Sequence, residues 1–498
     1  MAAAATVVVL AAGALAALLA IRGIHTAAAA VSIGTIGTIS LWRYGWWLVQ
    51  VARAAIYLNV AFPRLRATAD AIGRRVPHLY AVVCSYEIPR LESERVYRAL
   101  IENCLAYGTP ATIVAAITSS HDEEMIRDIY ESMGAPEAVE IIVQFQKGDG
   151  KRSALAHALR SIARREPPSN ALVALIDGDV VLDPAAIAGC APMFVTDSRL
   201  SALTTNNDAI VSGNPIVRHW FALRHAQRHV LMSSMALSGR LLVLTGRFSM
   251  FRARDAITPE FIDLIERESF DHWRLGRLRF VSGDDKSTWY YILKHRGRML
   301  YVPDVKAVSF ESMPRGRTFV GGATALMLRW YGNMLRANAK AIRLGPRTCG
   351  AFTWWSLIDQ RVSMWTSLIG PTAVLILAVT GAPLAPLAYL AWVLLTRSTM
   401  ALVDGAFWGR VYPSWPLLMF FNQVWGAWLR VYMLFRPDRQ GWTRQRIGSS
   451  GSAHSAATSA ALHAAALTAF VLFVAVGLGM VPSIPRHLIP AVQLMVKP

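Results

Sequence analysis

Acidic residues are scarce in this 498-residue chain, 32 Asp and Glu against 51 Lys and Arg, and two of the places where they gather have the spacing of a reactive site. In "ALVALIDGDVVLDP", Asp177 and Asp179 flank Gly178 directly after six apolar residues. A short apolar run closed by turn residues reads as a buried strand, and the ends of such strands are where an open α/β sheet presents ligands. Two carboxylates on backbone that reverses there either hold a hard divalent cation against phosphate oxygens or form an acidic turn that merely ends the strand. In "GRLRFVSGDDKSTWYYILKHRG", Gly283, Asp284 and Asp285 open a helix. Asp284 reads as the N-cap of that helix, and a site carboxylate without a metal can act as general base toward a hydroxyl nucleophile.

Other elements must bring these carboxylates together. "HLYAVVCSYEIPRLESERVYRALIENCLAYG" is a strand, ending at Cys84 to Glu87, that runs into a helix, and "ATIVAAITSSHDEEMIRDIYESMG" repeats the pattern. Such alternation predicts a mostly parallel, doubly wound sheet. "EIIVQFQKGDGKRSALAHALR" places Lys151 and Arg152 at a helix N-terminus, where backbone N–H groups, the helix dipole and two cations make an anion site, or else a solvated basic turn. "LLVLTGRFSMFR" is a further apolar run, with Thr245 and Gly246 just before Arg247. "ALMLRWYGNMLRANAKAIRLG" carries apolar and basic residues at helical spacing, the pattern of a helix on a membrane surface, with Arg329 and Trp330 as interface anchors in the plainest reading.

The whole chain is 54% hydrophobic and 17% charged, with a mean hydropathy of +0.35, which excludes an ordinary soluble protein. The formal charge of +19 sits beside apolar spans without any nucleic-acid motif, so positive-inside topology accounts for it and nucleic acid is not an expected partner. Cys84, Cys104, Cys190 and Cys349 are scattered without C-x-x-C spacing, which fits a reduced, cytosol-facing location. Ala2 to Ile21 lacks a charged leader and reads as a retained membrane helix; Thr26 to Leu41 is apolar and leads into an interfacial stretch rich in Trp, Tyr and Arg.

The expected organisation is membrane segments over 1–63, an α/β domain over 64–319, interfacial helices over 320–362, a membrane helix pair over 363–403, an interfacial segment with a basic loop over 404–458, and a last membrane helix with its tail over 459–498. The pair and the last helix approach the length needed to cross about 30 Å of hydrocarbon. "SWPLLMFFNQVWGAWLRVYMLFR" is read as interfacial or re-entrant, because a crossing there would put the basic "RPDRQGWTRQR" outside.

In this order the motifs resemble the processive, membrane-embedded family 2 glycosyltransferases, such as hyaluronan, chitin and cellulose synthases. "HWRLGRLRFVSGDDKSTW", "LRWYGNMLRANAKA" and "DQRVSMWTSLIG" look very like the catalytic subunits of bacterial alginate synthases, from about Leu41 to about Arg446. The resemblance implies a GT-A domain embedded in a helical membrane bundle at the bacterial inner membrane. It implies a GDP-sugar donor, a growing polyuronate acceptor, and Mg2+ or Mn2+ on Asp177 and Asp179. Asp285 would be the catalytic base. Tyr86 and Glu87 would meet the nucleoside; Lys151, Arg152, Thr245, Gly246 and Arg329 would meet the donor; Trp330 would stack on the acceptor sugar. Trp442, Thr443 and Arg444 resemble a gating loop. A cyclic di-GMP-binding PilZ-domain subunit and periplasmic export proteins are the implied partners.

One departure is Leu326, where the wider family has Gln in Q-x-x-R-W; it argues against hyaluronan or cellulose as the product. A polyuronate crossing hydrocarbon would need compensating cations, and Arg247, Arg361 and Arg430 are candidates, with snorkelling as their plainer reading. The rival readings are a synthase of another polysaccharide, a polyprenyl-phosphate glycosyltransferase, and a transporter or scaffold with a degenerate nucleotide domain.

Overall fold

The computed structural model describes residues 27–146, 150–272, 274–279, 283–314, 317–440 and 453–478. The Ala2 to Ile21 run and the Trp442, Thr443 and Arg444 loop lie outside the described residues. Helix α1 (Ala27–Ile56) continues through a π-helical turn at Tyr57–Ala61 into α2 (Phe62–Asp70), so the apolar segment from Ala27 and the aromatic stretch after it form one continuous helical run.

The expected alternation follows: β1 (Leu79–Cys84), α3 (Arg90–Tyr107), β2 (Ala111–Ile117), α4 (Ser120–Ser132), β3 (Val139–Phe145), α5 (Lys151–Ala163) and β4 (Leu172–Asp177). Then come β5 (Val180–Leu182), α6 (Ala186–Thr196), β6 (Leu200–Ser212), α7 (Pro215–Ala236), β7 (Phe248–Arg252), α8 (Ala253–Ala256) and α9 (Pro259–Glu266). A small hairpin, β8 (Ser269–His272) and β9 (Gly276–Arg279), precedes α10 (Asp284–Lys294) and β10 (Arg298–Ser312).

Eight strands form one sheet in the order β3-β2-β1-β4-β7-β6-β10-β5. From β3 to β4 all pairs are parallel, as helical crossovers require. Strand β7 then runs antiparallel between β4 and β6, and β5 antiparallel on β10, so the second half is mixed where the sequence predicted more parallel pairing. The short apolar strands are buried on both faces, which is why they read as continuous runs rather than alternating ones.

Register brings Cys84 opposite Asp177, so the ends of β1 and β4 lie side by side. A Cβ on Gly178 would fall 2.6 Å from both the Cys84 carbonyl and the Ser85 hydroxyl. The residue between the two aspartates therefore has to be glycine for β1 to close against them.

After the sheet come α11 (Phe319–Arg343), α12 (Pro346–Cys349), α13 (Ala351–Val379), α14 (Ala385–Trp408), α15 (Trp415–Phe435) and α16 (Ala453–Gly477). Among the described residues three helices, Ala351–Val379, Ala385–Trp408 and Ala456–Gly477, are long and apolar enough to cross a membrane. The amphipathic α11 joins the two parts of the molecule. Its Ala337 and Ala341 belong to the core of the sheet domain, Leu326 and Met327 cluster with Trp220 and Trp415, and Leu335 clusters with Met364 and Leu368.

Candidate active site

Four elements converge where β4 ends. Asp177 closes the strand, its N–H donating to the Arg247 carbonyl at 3.2 Å. Lys151, the first residue of α5, ion-pairs with Asp177 and donates to Asp284 Oδ2 at 2.7 Å. Asp285 is the next residue of α10, and its carboxylate accepts the Lys286 N–H at 2.9 Å. Thr245 and Gly246 line the same cleft with Lys151, Asp284 and Asp285. Gly246 presents backbone there: a Cβ on it would sit 3.0 Å from Lys151 Nζ.

Asp284 is not the N-cap that its position predicted. Gly283 is the N-cap, at φ 90°, with no side-chain capping bond. This left-handed turn suits glycine, and a Cβ there would lie 2.8 Å from Asn333 on α11. The helix begins after the turn, which leaves the Asp284 carboxylate free to reach across to Lys151.

Burial disfavours every charge in this cleft, and the neighbours decide which charges survive. Burial works against the Lys151 ammonium, but Asp177 and Asp284 outweigh it and hold its pKa well above the ordinary lysine value. Burial likewise opposes the Asp284 charge, and Lys151 and Arg152 overcome it, leaving this carboxyl below its usual range. Asp285 goes the other way: burial, and then the Asp284 charge, raise it. Asp179 is pushed up to about 7 by burial and by the charges of Asp177 and Glu311. Its backbone carbonyl accepts from Phe310 N–H at 3.1 Å.

The structure parts the two cations that the sequence set together. Arg152 turns away from the cleft into a buried network, 2.9 Å from Glu268 Oε2 and 2.7 Å from the Ile265 carbonyl. Glu268 also meets Arg336 and Lys340 of α11 at 3.3 and 2.8 Å. Tyr86 and Glu87 follow β1 beside the Asp177 turn; Tyr86 is half exposed and Glu87 takes a left-handed φ of 49°.

On α11, Trp330 stacks with Trp220 of α7, centroids 5.8 Å apart at 25°, and the Arg224 guanidinium lies 4.0 Å over its ring. Arg329 lies in electrostatic reach of Glu311 and Asp285. Leu326, in place of the polar residue of the wider pattern, is packed in the apolar cluster with Trp220 and Trp415.

Of the other cations, Arg247 pairs with Glu311 and donates to Ser309 Oγ at 2.9 Å. Arg361 donates to the Leu335 carbonyl at 2.6 Å. Arg430 reaches Ser363 Oγ at 3.2 Å and stands over the Tyr331 ring. Sequence reasoning missed Glu268, Glu311, Arg224, Arg228 and Gln440. Gln440, directly before the basic loop, bonds to Asn333 and, at 3.1 Å, to the Arg329 carbonyl.

Residues 77–333 match the glycosyltransferase like family 2. The chain is 39% identical over 412 residues to glycosyltransferase alg8 of Pseudomonas syringae pv. tomato, covering 82% of this chain and 83% of that one. It is 38% identical to glycosyltransferase alg8 of Azotobacter vinelandii, with the same two shares covered. A solved mannosyltransferase of Pyrobaculum calidifontis, in complex with GDP-Man and Mn2+, is 16% identical at a TM-score of 0.47 and covers 81% of this chain and 98% of its own. With the family 2 match over half of its length and the two alg8 relatives along four fifths of it, the chain belongs to the family 2 glycosyltransferases, and among them to the alg8 glycosyltransferases.

Proposed function

We propose that this chain is an inverting, processive glycosyltransferase that polymerises mannuronic acid from GDP-mannuronic acid into β-1,4-mannuronan and passes the polymer across the bacterial inner membrane. The observation that carries the reading is one cleft shared by Asp177, Lys151, Asp284 and Asp285, with Trp330 on the adjoining helix.

Asp285 accepts the proton of the acceptor 4-hydroxyl as O4 attacks C1; the new C1–O4 bond forms as the bond from C1 to the diphosphate oxygen breaks, and GDP departs. A base whose pKa is raised by its surroundings is suited to hold that proton. Lys151 turns its ammonium from Asp284 to the diphosphate, and Arg329 adds a second cation. Tyr86 and Glu87 meet the base and ribose, Thr245 and Gly246 line the sugar side, and Trp330 takes a sugar face. Arg152 is proposed only as a support of α5, through Glu268. Trp442, Thr443 and Arg444 form the closing loop of the reading.

Asp177 and Asp179 fit a divalent cation, Mg2+ or Mn2+. They are hard oxygen donors, and Asp179, raised to about 7 first by burial and then by the charges of Asp177 and Glu311, faces a repulsion that such a cation would offset. Among the described residues no three acidic, histidine or cysteine side chains gather around one point, so the diphosphate would complete the coordination. A cation held by Asp177 and Asp179 would supply positive charge for the departing GDP.

The subunit is further proposed to act with a PilZ-domain partner that binds cyclic di-GMP and with periplasmic export proteins. The test is a panel of radiolabelled GDP- and UDP-sugars given to membranes that contain the chain with and without such a partner. Polymer made from GDP-mannuronic acid and degraded by a mannuronate lyase is expected. Lyase-resistant polymer from another donor overturns the substrate assignment, and single-sugar transfer to lipid favours the polyprenyl-phosphate reading.

A further inference from the structure

Helix α7 carries Arg224 and Arg228 one turn apart, a spacing that puts both on one face. Like charges so placed repel. Among the described residues, neither forms an ion pair. The Arg224 guanidinium carbon stands 4.0 Å from the Trp330 ring centroid and 5.2 Å from that of Trp220, and the side chain hydrogen-bonds Tyr331. Arg228 donates to the Thr205 carbonyl at 3.4 Å, lies beside the Tyr301 ring and hydrogen-bonds that tyrosine, and its Nη2 has no acceptor among the described residues. Arg247, the neighbouring cation, has its own carboxylate in Glu311.

Buried guanidiniums without counterions are costly, and folds usually pair them. Here the fold does the opposite. Burial lowers both pKa values, that of Arg228 to about 10, although each residue as a whole is only partly buried. Arg228 is within electrostatic reach of Asp285, while Arg224 touches the Trp330 platform. The pair therefore extends from the proposed base to the indole that takes an acceptor sugar.

We infer that Arg224 and Arg228 form a carboxylate-recognising acceptor subsite, which holds the uronate group of the growing chain while Trp330 holds its ring face. This rests on the polyuronate reading above and names the side chains that read the charge. A planar guanidinium receives a carboxylate through two parallel N–H···O bonds, and its contacts with the two indoles hold Arg224 in place. A neutral polymer would leave both charges unmatched, so the pair selects for an anionic chain.

The full-length protein in detergent is titrated with a β-1,4-linked mannuronate tetramer and with a neutral mannose tetramer. The wild type is expected to prefer the anionic oligomer, with affinity falling steeply as salt rises. Arg224→Gln and Arg228→Gln should each weaken the anionic oligomer tenfold or more without changing the neutral one or the melting temperature, and Arg228→Lys should recover part of the loss. Equal affinity of the wild type for both oligomers, or glutamine variants that bind the mannuronate like wild type, overturns the subsite. The donor panel on the same preparation separates the two claims. Mannuronan synthesis with unchanged variants removes the subsite alone, and polymer from a neutral donor removes the reading beneath it.

Discussion

The ammonium of Lys151 and the carboxylate of Asp284 stand 2.7 Å apart although 133 residues separate them in the chain. Through this pair α5 is tied to α10, and the same ammonium binds Asp177 of β4. Lys151 thus joins one carboxylate of each motif, Asp177 and Asp284.

Lys151→Met should unpair Asp177 and Asp284, weaken GDP binding, and cost about 1–3 kcal/mol of stability. With the ammonium gone, Mn2+ without nucleotide should bind more tightly, since a competing cation has been removed. Mn2+ titration followed by electron paramagnetic resonance reads this directly. Unchanged or weaker Mn2+ binding would show that Lys151 and the metal do not compete.

Asp285→Asn should leave GDP affinity near wild type and lower turnover about 10²-fold or more. Because burial and then Asp284 raise the Asp285 pKa, the acid limb of the rate profile should lie above the ordinary carboxylate range, with activity lost as pH falls through it. Asp284→Asn removes one of the two causes and should move that limb to lower pH. A limb that stays in place in Asp284→Asn counts against Asp285 as the titrating base.

His229, buried on α7, shares a 2.9 Å hydrogen bond with the Tyr301 hydroxyl. Burial, followed by Arg228 and Lys306, lowers its pKa from 6.5 to about 4. Between these values the unfolded chain binds a proton that the fold refuses, so stability should rise with pH through that window, by roughly 3 kcal/mol at most. Melting midpoints at pH 4.5 and 7.5 should therefore differ less in His229→Gln than in wild type. Equal differences in the two proteins would place the titration elsewhere.

Glu268 holds three cations, Arg152, Arg336 and Lys340. Glu268→Gln leaves them buried together and should cost about 3–5 kcal/mol, loosening α11 with its Arg329 and Trp330. Adding Arg152→Met should restore part of the melting temperature. A Glu268→Gln protein that melts like wild type would mean that α11 is held by its apolar contacts alone.

The sequence by itself determined the elements whose signals are local. Six apolar residues before Asp177 read as a buried strand end and form one; the strand and helix alternation produced the parallel half of the sheet; and the apolar runs read over 363–403 lie in helices Ala351–Val379 and Ala385–Trp408, the first of which starts earlier, in the stretch read as interfacial. Each depends on residues within a few turns of one another, where periodicity and hydropathy act. Only the tertiary structure decided which of two adjacent cations enters the cleft, because successive residues on a helix point about 100° apart and the docking of α5 chooses between Lys151 and Arg152. It also reassigned Asp284 from cap to ion pair, inserted β7 against β4, and set Arg224 on Trp330, more than a hundred residues away. Those outcomes depend on burial and on charges brought together by the fold, and neither is written in the spacing of neighbouring residues.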